Sequence, residues 1–522
     1  MNASHFKALA VLLVLLLPAL LVGLDNRPVF KVQEVRVAET AREMLESGDW
    51  VVPRYNGDLR LQKPPLPYWL TAISYRLAGV GEVTTRLPSV LFGLLAATLI
   101  WLWAQREIGL RAAANSALIL VTSYIGLRYF RSGEADAPLL FFISAACLLG
   151  YDITQGRRTM VQRLLFGLTL GLGFLAKGPA GLAIPLLAVA VMAFLQNRRG
   201  GVRSSVGNFF DVPNALLLLL TAFGWYLWIL WFLPEVAQSF FAKQVDETFI
   251  RGSHGKPVWW YLSHWLEFFA PWGLLLVPAG WLAWQQRHQP TPPLLRFAWI
   301  WLAVVFVLLS ATINKQMQYA LLFAPPLAII LGHYLTAAVG NFLRFNKILF
   351  GLFCAAVLLG VAYALRKSDG FSYSMVLWLA IPVLPLLARQ LLRETSVAIP
   401  VLLVAGLTVM VFQYSEAYFS KEPHKIAAQT LMAEAARYEQ VYQLRTPLND
   451  GALSFHAGKV IPPRDREELA ALLNLHAEVF VVSEKPLVIP GVDVDLVAEA
   501  DDLRLYRIRH APTAPAAQTK ND

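Results

Sequence analysis

The chain of 522 residues is 57% hydrophobic and only 15% charged, with a formal net charge of +10. Soluble domains carry roughly 25% charged residues, so a soluble protein with a single core is excluded and a polytopic membrane protein is indicated. The two cysteines, Cys147 and Cys354, both lie inside apolar runs; they read as buried small hydrophobes, not as a disulfide or a metal pair.

Runs long enough to cross a hydrocarbon core of ~30 Å are predicted, in chain order, at residues 6–24, 84–104, 112–129, 137–153, 164–176, 178–194, 212–233, 261–284, 295–311, 319–335, 348–365, 372–387 and 397–412, about thirteen spans. The first has only Lys7 ahead of it and no small-residue cleavage site, which predicts a retained signal anchor. Directly after it, residues 29–69 break the apolar pattern with a dense set of charges. Charged groups held against a bilayer mark function by default. Here Val32, Val35, Ala38, Ala41 and Leu45 make one helical stripe, and Gly48 supplies a stop. This predicts a short helix on the membrane surface, with Gln33, Arg36, Thr40 and Glu43 along another face. An alternative is that Glu39, Glu43 and Glu46 simply solvate that face. Further on, Pro64 and Pro65 hold the backbone extended and present Lys63 just ahead of a second interfacial helix over residues 66–77.

The loops have a side. With a cytoplasmic N-terminus, alternate short loops carry Arg106 and Arg111; Arg157, Arg158 and Arg163; Arg198, Arg199 and Arg203; Arg287 and Arg296; Arg344 and Lys347; Arg389 and Arg393. Basic loops belong inside, so much of the positive charge is a topology signal, and no nucleic-acid-binding motif accompanies it. The longer loops, residues 29–83 and 234–260, the turn at 131–136 and the link at 312–318, then share the non-cytoplasmic side. An odd number of spans puts the C-terminal segment there too.

From about residue 418 the composition changes. A helical pattern at 423–438, a helix at 466–475, and the strand-like EVFVVS (478–483) and LRLYRI (503–508) alternate as in a small α/β domain. It has no glycine-rich phosphate fingerprint, so no nucleotide is expected. The expected division is a transmembrane part over 1–417, an α/β domain over 418–510 and a disordered tail over 511–522.

In order along the chain, QEVRVAETAREMLESGDWVVPRYNG (33–57), QKPPLPYW (62–69), RSGEADAPLLFF (131–142), FLAKGPAGLAIP (174–185), HGKPVWWYL (254–262), FFAPWGLLLVP (268–278) and SATINKQMQYALLFAPPLAIILG (310–332) resemble the lipid-linked-sugar glycosyltransferases. That family includes bacterial lipid A aminoarabinose transferase and, more distantly, the protein O-mannosyltransferases, of the polytopic GT-C type. The resemblance implies an all-α membrane protein with about thirteen spans, interfacial helices after the first, and a small periplasmic α/β domain. It implies a multi-pass protein of the bacterial inner membrane and a periplasmic cavity where a sugar on polyprenyl phosphate, usually undecaprenyl phosphate, passes with inversion to a lipid A-like or other envelope acceptor. Neither cofactor nor metal is expected.

The leaving group of that reaction is a phosphate whose negative charge grows, so cations there stabilise the transition state selectively. Lys63 and Arg36 match the family's phosphate-holding positions. Arg131, Lys177, Lys256 and Lys315 are secondary candidates, with His254 and Tyr319 as further substrate-binding positions. An interface anchor is an equal reading for Arg131, whereas Lys177 between two spans is costly unless it faces the cavity. The family's Asp-Glu pair reads Gln33-Glu34 here, and its Glu before Lys-Pro-Pro reads Gln62. Gln33 cannot take a proton and is left as a substrate contact. Three readings stay open: Glu34, with Asp136, supplies the catalytic carboxylate; a phosphate acceptor needs no base; or the chain is an inactive, sugar-lipid-binding paralogue. A saccharide-lipid transporter is less consistent with charges outside the core and no internal repeat.

Overall fold

The computed structural model describes residues 3–25, 29, 31–157, 159–196, 209–234, 255–337, 409, 430–444, 450–500 and 503–510. Two compact units emerge: Met1–Leu24 with Leu61–Tyr418, and Asp25–Arg60 with Phe419–Asp522.

The first unit is a helical membrane bundle. Its described elements are α1 (Ala3–Leu21), α3 (Leu66–Ala78), α4 (Glu82–Ile108), α5 (Leu110–Thr122), α6 (Tyr124–Phe130), α7 (Asp136–Thr154), α8 (Met160–Lys177), α9 (Ala180–Gln196) and α10 (Val212–Phe232). After these come the short α11 (Trp260–Ser263), α12 (Trp265–Phe268) and α13 (Leu276–Gln285), then α14 (Pro293–Ala311) and α15 (Ala324–Ala337). Among the described residues six helices are long and apolar enough to cross a membrane, seven if α5 and α6, bent by 65°, form one span. The spans expected at 348–365, 372–387 and 397–412 lie outside the described residues, Val409 aside. The span expected at 261–284 is not one helix: α11, α12, a 3-10 turn at Trp272–Leu275 and α13 follow one another there. Pro271 lacks the N–H that a continuous helix would need at that point.

Helix α7 lies at the centre and is buried almost throughout, whereas most of α10 is open to the periphery. It packs on α4, α8 and α9. Without a hydrophobic drive between helices in lipid, close approach comes from small residues. A Cβ on Gly181 would sit 2.2 Å from the backbone of Gly173, and one on Gly171 would sit 1.7 Å from the Thr221 hydroxyl. Caps fix the helix starts: Thr159 and Gln162 form a reciprocal capping box on α8, and Asp211 accepts from the Asn214 N–H at 3.0 Å on α10. The break between α8 and α9 is made by Gly178, whose φ is 91°.

The second unit contains α2 (Val32–Ser47), the two-stranded β1 (Arg54–Tyr55) and β2 (Asp58–Leu59), and a five-stranded sheet. The sheet is built from β3 (Val441–Leu444), β4 (Pro463–Arg464), β5 (Glu478–Ser483), β6 (Val492–Ala500) and β7 (Leu503–His510), in the order β4-β3-β5-β7-β6. Helices α16 (Asp450–Ala457) and α17 (Arg466–Leu472) accompany it. Strands β3, β4 and β5 run parallel, whereas β7 pairs antiparallel with β5 and β6. Central β5 is buried on both faces. Phe480 and Val482 join Leu431, Met432 and Ile461 on one side, while Val479 and Val481 join Leu469, Leu473 and Ile508 on the other. Two-sided burial explains why EVFVVS reads as an unbroken apolar strand. Residues 25–60, expected within the membrane part, instead pack with the C-terminal segment, as Asp25–Arg60 with Phe419–Asp522.

Candidate active site

Three expected residues meet in the membrane unit. Asp136 opens α7 and Lys177 closes α8, so these neighbouring antiparallel helices bring both charges to one end. Lys177 Nζ donates to Asp136 Oδ1 at 2.7 Å and to Oδ2 at 2.8 Å. The same ammonium lies 5.2 Å from the ring centroid of Tyr319, on the 3-10 turn Met317–Phe323. Asp136 is nearly closed off at 4% side-chain exposure, and Lys177 keeps 17%. The anion also sits at a helix N-terminus, where the backbone dipole favours it. Two residues earlier, Glu134 accepts from the Ser132 hydroxyl at 2.9 Å; its place inside RSGEADAP was the one signal that could have singled it out.

The arrangement offers a carboxylate, an ammonium and an aromatic face in a half-closed setting. An ammonium is a compact point charge with three rotatable donors, so it can turn from a carboxylate to a phosphate oxygen without backbone motion.

The other end of α7 is chemically different. Arg106 Nη1 donates to Asp152 Oδ2 at 3.1 Å, Arg157 Nη1 reaches Glu107 Oε1 at 2.6 Å, and Tyr151 donates to Glu107 Oε2 at 3.0 Å. Sixteen residues of helix separate Asp136 from Asp152, roughly 24 Å by helical rise. The Arg106 and Arg157 cluster therefore stands at the opposite end of α7 from Asp136 and Lys177.

Arg131 departs from the binding expectation. It is 1% exposed, and its Nη1 donates to the carbonyls of Ala19, Leu20 and Val22 at 3.1, 3.2 and 2.8 Å, with Nη2 on Gly23 O at 3.2 Å. These are the orphan carbonyls at the end of α1, where a cation also opposes the helix dipole. Arg86, which the sequence reading did not single out, is fully buried and donates to Leu24 O. Arg131→Met is expected to cost on the order of 3 kcal/mol by leaving several buried acceptors unpaired, read as a lower thermal midpoint in detergent with turnover per folded molecule retained.

Lys315 is 2% exposed and donates to the carbonyls of Lys256 at 3.2 Å and Thr312 at 2.5 Å. Beside it Gly255 and Asn314 form an antiparallel bridge. Its charge is thus committed to joining two loops, in contrast to the expected phosphate contact. Lys256 is exposed, 4.1 Å from the Trp260 ring centroid, a cation–π contact. His254 lies outside the described residues. Lys63 is half-buried, three residues ahead of α3. Next to it, Gln62 Oε1 is buried with no hydrogen-bond partner among the described residues.

The remaining candidates belong to the second unit. On α2, Glu34 is fully buried, Arg36 half-buried and Gln33 exposed. The helix ends at Gly48, with φ 71° in the left-handed region. Its acidic residues do not merely solvate a face: Glu39 is fully buried and Glu43 is 6% exposed, while Glu46 is open. Arg42 clasps Glu39 through Nε and Nη2 at 2.8 and 2.7 Å and reaches Glu46 Oε1 at 2.5 Å. Burial pushes the Glu39 carboxyl up to about 8, against the pull of Arg42.

Comparison with known proteins follows the same lines. Residues 62–229 match the family model described as dolichyl-phosphate-mannose-protein mannosyltransferase. The chain is 32% identical over 358 residues to the undecaprenyl phosphate-alpha-4-amino-4-deoxy-L-arabinose arabinosyl transferase of Aeromonas salmonicida (strain A449), covering 65% of this chain and 63% of that protein. It is 32% identical over 351 residues to the protein of the same description from Edwardsiella ictaluri (strain 93-146), covering 65% and 62%. The match thus spans less than two thirds of those relatives' length. In fold, the chain is similar to the crystal structure of ArnT from Cupriavidus metallidurans bound to undecaprenyl phosphate, with a TM-score of 0.77 at 21% identity over 97% of this chain and 98% of that one. The apo structure of that protein gives 0.76 at 21% identity, over 95% and 97%. The chain thus shares its fold with these membrane proteins, and residues 62–229 carry the sequence pattern of the mannosyltransferase family model.

Proposed function

We propose that this protein is an inverting glycosyltransferase that takes a sugar from a polyprenyl-phosphate donor, undecaprenyl phosphate in kind, and passes it to a lipid A-like or other envelope acceptor. The observation that carries the reading is the Asp136–Lys177 pair beside Tyr319, at the end of α7 away from the basic cluster. In this reading the transfer takes place at the periplasmic side of the inner membrane, with the N-terminus cytoplasmic.

As the bond from the anomeric carbon to the donor phosphate breaks, its electron pair goes to a phosphate oxygen. Lys177 turns from Asp136 toward that oxygen, so positive charge is present where negative charge develops; Lys63 and, on α2, Arg36 are the cations that the family pattern assigns to phosphate. Asp136, relieved of its ammonium, is free to take the proton of a hydroxyl acceptor as its oxygen bonds to the anomeric carbon, or to orient the sugar; on α2, Glu34 is the carboxylate that the family pattern assigns to that role. A phosphate acceptor arrives ionised and needs neither as a base. Tyr319 supports the sugar or the ammonium by its ring face.

One assay tests this. The purified full chain, in detergent or nanodiscs, is given undecaprenyl-phosphate-linked sugars, aminoarabinose first, with lipid A as acceptor, and released undecaprenyl phosphate is measured. Release that depends on the acceptor is expected. A second reading, a sugar-lipid-binding paralogue without turnover, is favoured by Gln33 standing where the family has Asp. Tight donor binding with no release across a broad donor and acceptor panel would sink the transferase and leave that alternative.

A further inference from the structure

The hairpin after α2 is a clasp between that helix and a segment some 400 residues later in the chain. Strands β1 and β2 pair Arg54 with Leu59 and Tyr55 with Asp58, leaving Asn56-Gly57 as a two-residue turn. Both have positive φ, 55° and 82°, as a turn matched to strand twist requires. Glu43 of α2 fixes that turn: Oε1 accepts from the Asn56 N–H at 2.5 Å and Oε2 from the Gly57 N–H at 3.0 Å.

The outer side of the turn is gripped by α16. Asn56 Oδ1 accepts from the Ser454 hydroxyl at 2.7 Å, and Ser454 Oγ in turn accepts from the Ile461 N–H at 3.0 Å. Tyr55 OH accepts from the Gly451 N–H at 3.0 Å, and a Cβ on Gly451 would lie 2.4 Å from the Tyr55 ring. At the start of the segment, His456 Nε2 lies 3.2 Å from the carbonyl of buried Val29. Asn56, Ser454 and Glu43 are each at most 6% exposed. Buried polar groups satisfied in series specify one geometry, and this series starts on α2 and ends in the C-terminal sheet domain.

We propose that the C-terminal α/β domain is the positioning module of α2, and that Glu43, Asn56 and Ser454 are positioning residues for the sugar transfer. The proposal rests on the transferase reading above, which gives Glu34 and Arg36 of α2 their roles. Those side chains stand on the same helix as Glu43, at most nine residues away, so a helix loosened at the clasp moves them. A displacement of about 1 Å at reacting groups can cost as much as 10²-fold in rate.

Hydrogen exchange on the full-length protein in nanodiscs, run alongside turnover, decides it. Asn56→Gly keeps the left-handed turn and removes the side-chain acceptor, whereas Asn56→Asp keeps the acceptor. Asn56→Gly and Ser454→Ala are expected to speed exchange of the α2 amides roughly tenfold, the size of one buried hydrogen bond. Each is also expected to lower kcat by about tenfold or more with KM for the donor little changed, as misplacement at a distance does. Asn56→Asp restores both. Tyr55→Phe provides a second, milder break that leaves the turn intact. Unchanged α2 exchange in Asn56→Gly and Ser454→Ala overturns the proposal, and so does faster exchange with full turnover. A wild type that turns over no donor removes the transferase reading, and with it the catalytic part of this proposal; the exchange result then still decides whether the clasp holds α2.

Discussion

Lys177→Ala is expected to lower turnover by about 10² to 10³, the usual loss when one preorganised positive group is taken from a developing oxyanion. The same change strands Asp136, a carboxylate with 4% of its side chain exposed, and breaking one half of a buried pair costs about 3–5 kcal/mol. Two effects are thus superimposed, and the double variant Lys177→Ala/Asp136→Asn separates them. It removes both charges and is expected to recover most of the thermal midpoint while turnover stays low. Recovery of turnover along with stability would reduce Lys177 to a structural counter-ion. Asp136→Asn alone is informative with the two acceptor types: a large loss with a hydroxyl acceptor and a small one with a phosphate acceptor is the pattern expected if Asp136 takes a proton.

Lys63→Ala is the second large effect, with loss of turnover to background expected. Lys63 is half-buried beside two prolines that hold its backbone extended, and the proposed transfer gives it the donor phosphate. Its removal is expected to weaken binding of undecaprenyl phosphate as well as the rate, since the phosphate is charged both before and after bond breaking. Glu34→Gln is likewise expected to abolish turnover, and Gln33→Ala to be mild. The burial on α2 agrees with that ranking: Glu34 is closed to solvent and Gln33 is exposed. Full activity in Glu34→Gln would remove it as the base and leave Asp136 or an ionised acceptor.

Much of the fold was legible along the chain. Transmembrane helices satisfy their backbone internally, so the runs at 84–104, 137–153, 164–176, 178–194, 212–233 and 295–311 each correspond to a helix. Local chemistry also foretold the stop of α2 at Gly48. The 261–284 run was misread because average hydropathy does not register the interruption at Pro271. In the C-terminal domain, EVFVVS and LRLYRI were visible through burial, whereas β6 (Val492–Ala500) was not. Its alternating acidic residues, Asp493, Asp495 and Glu499, pair with Arg504, Arg507 and Arg509 on β7, so its charges are satisfied by a neighbour that the sequence does not name.

The candidate site divides in the same way. Residue type and motif selected Asp136, Lys177 and Tyr319 from stretches about 40 and 140 residues apart, yet their meeting depends on antiparallel packing of α7 and α8 and on the 3-10 turn beside them. Arg131 and Lys315 were equally good cations by sequence. Only three dimensions showed their donors turned onto backbone carbonyls, because the carbonyls at a helix end or a loop carry no signature in the residues that supply them.

What the sequence by itself determined is the membrane class, the apolar helices and the helix after the first span that stops at Gly48. These follow from composition and from periods of two to four residues, which are local. What only the tertiary structure decided is which charges are available for a substrate and which are already engaged, and that the region after the first span folds with the C-terminal domain. Both are questions of partnership between residues as much as 400 positions apart, settled by burial and hydrogen-bond satisfaction rather than by pattern.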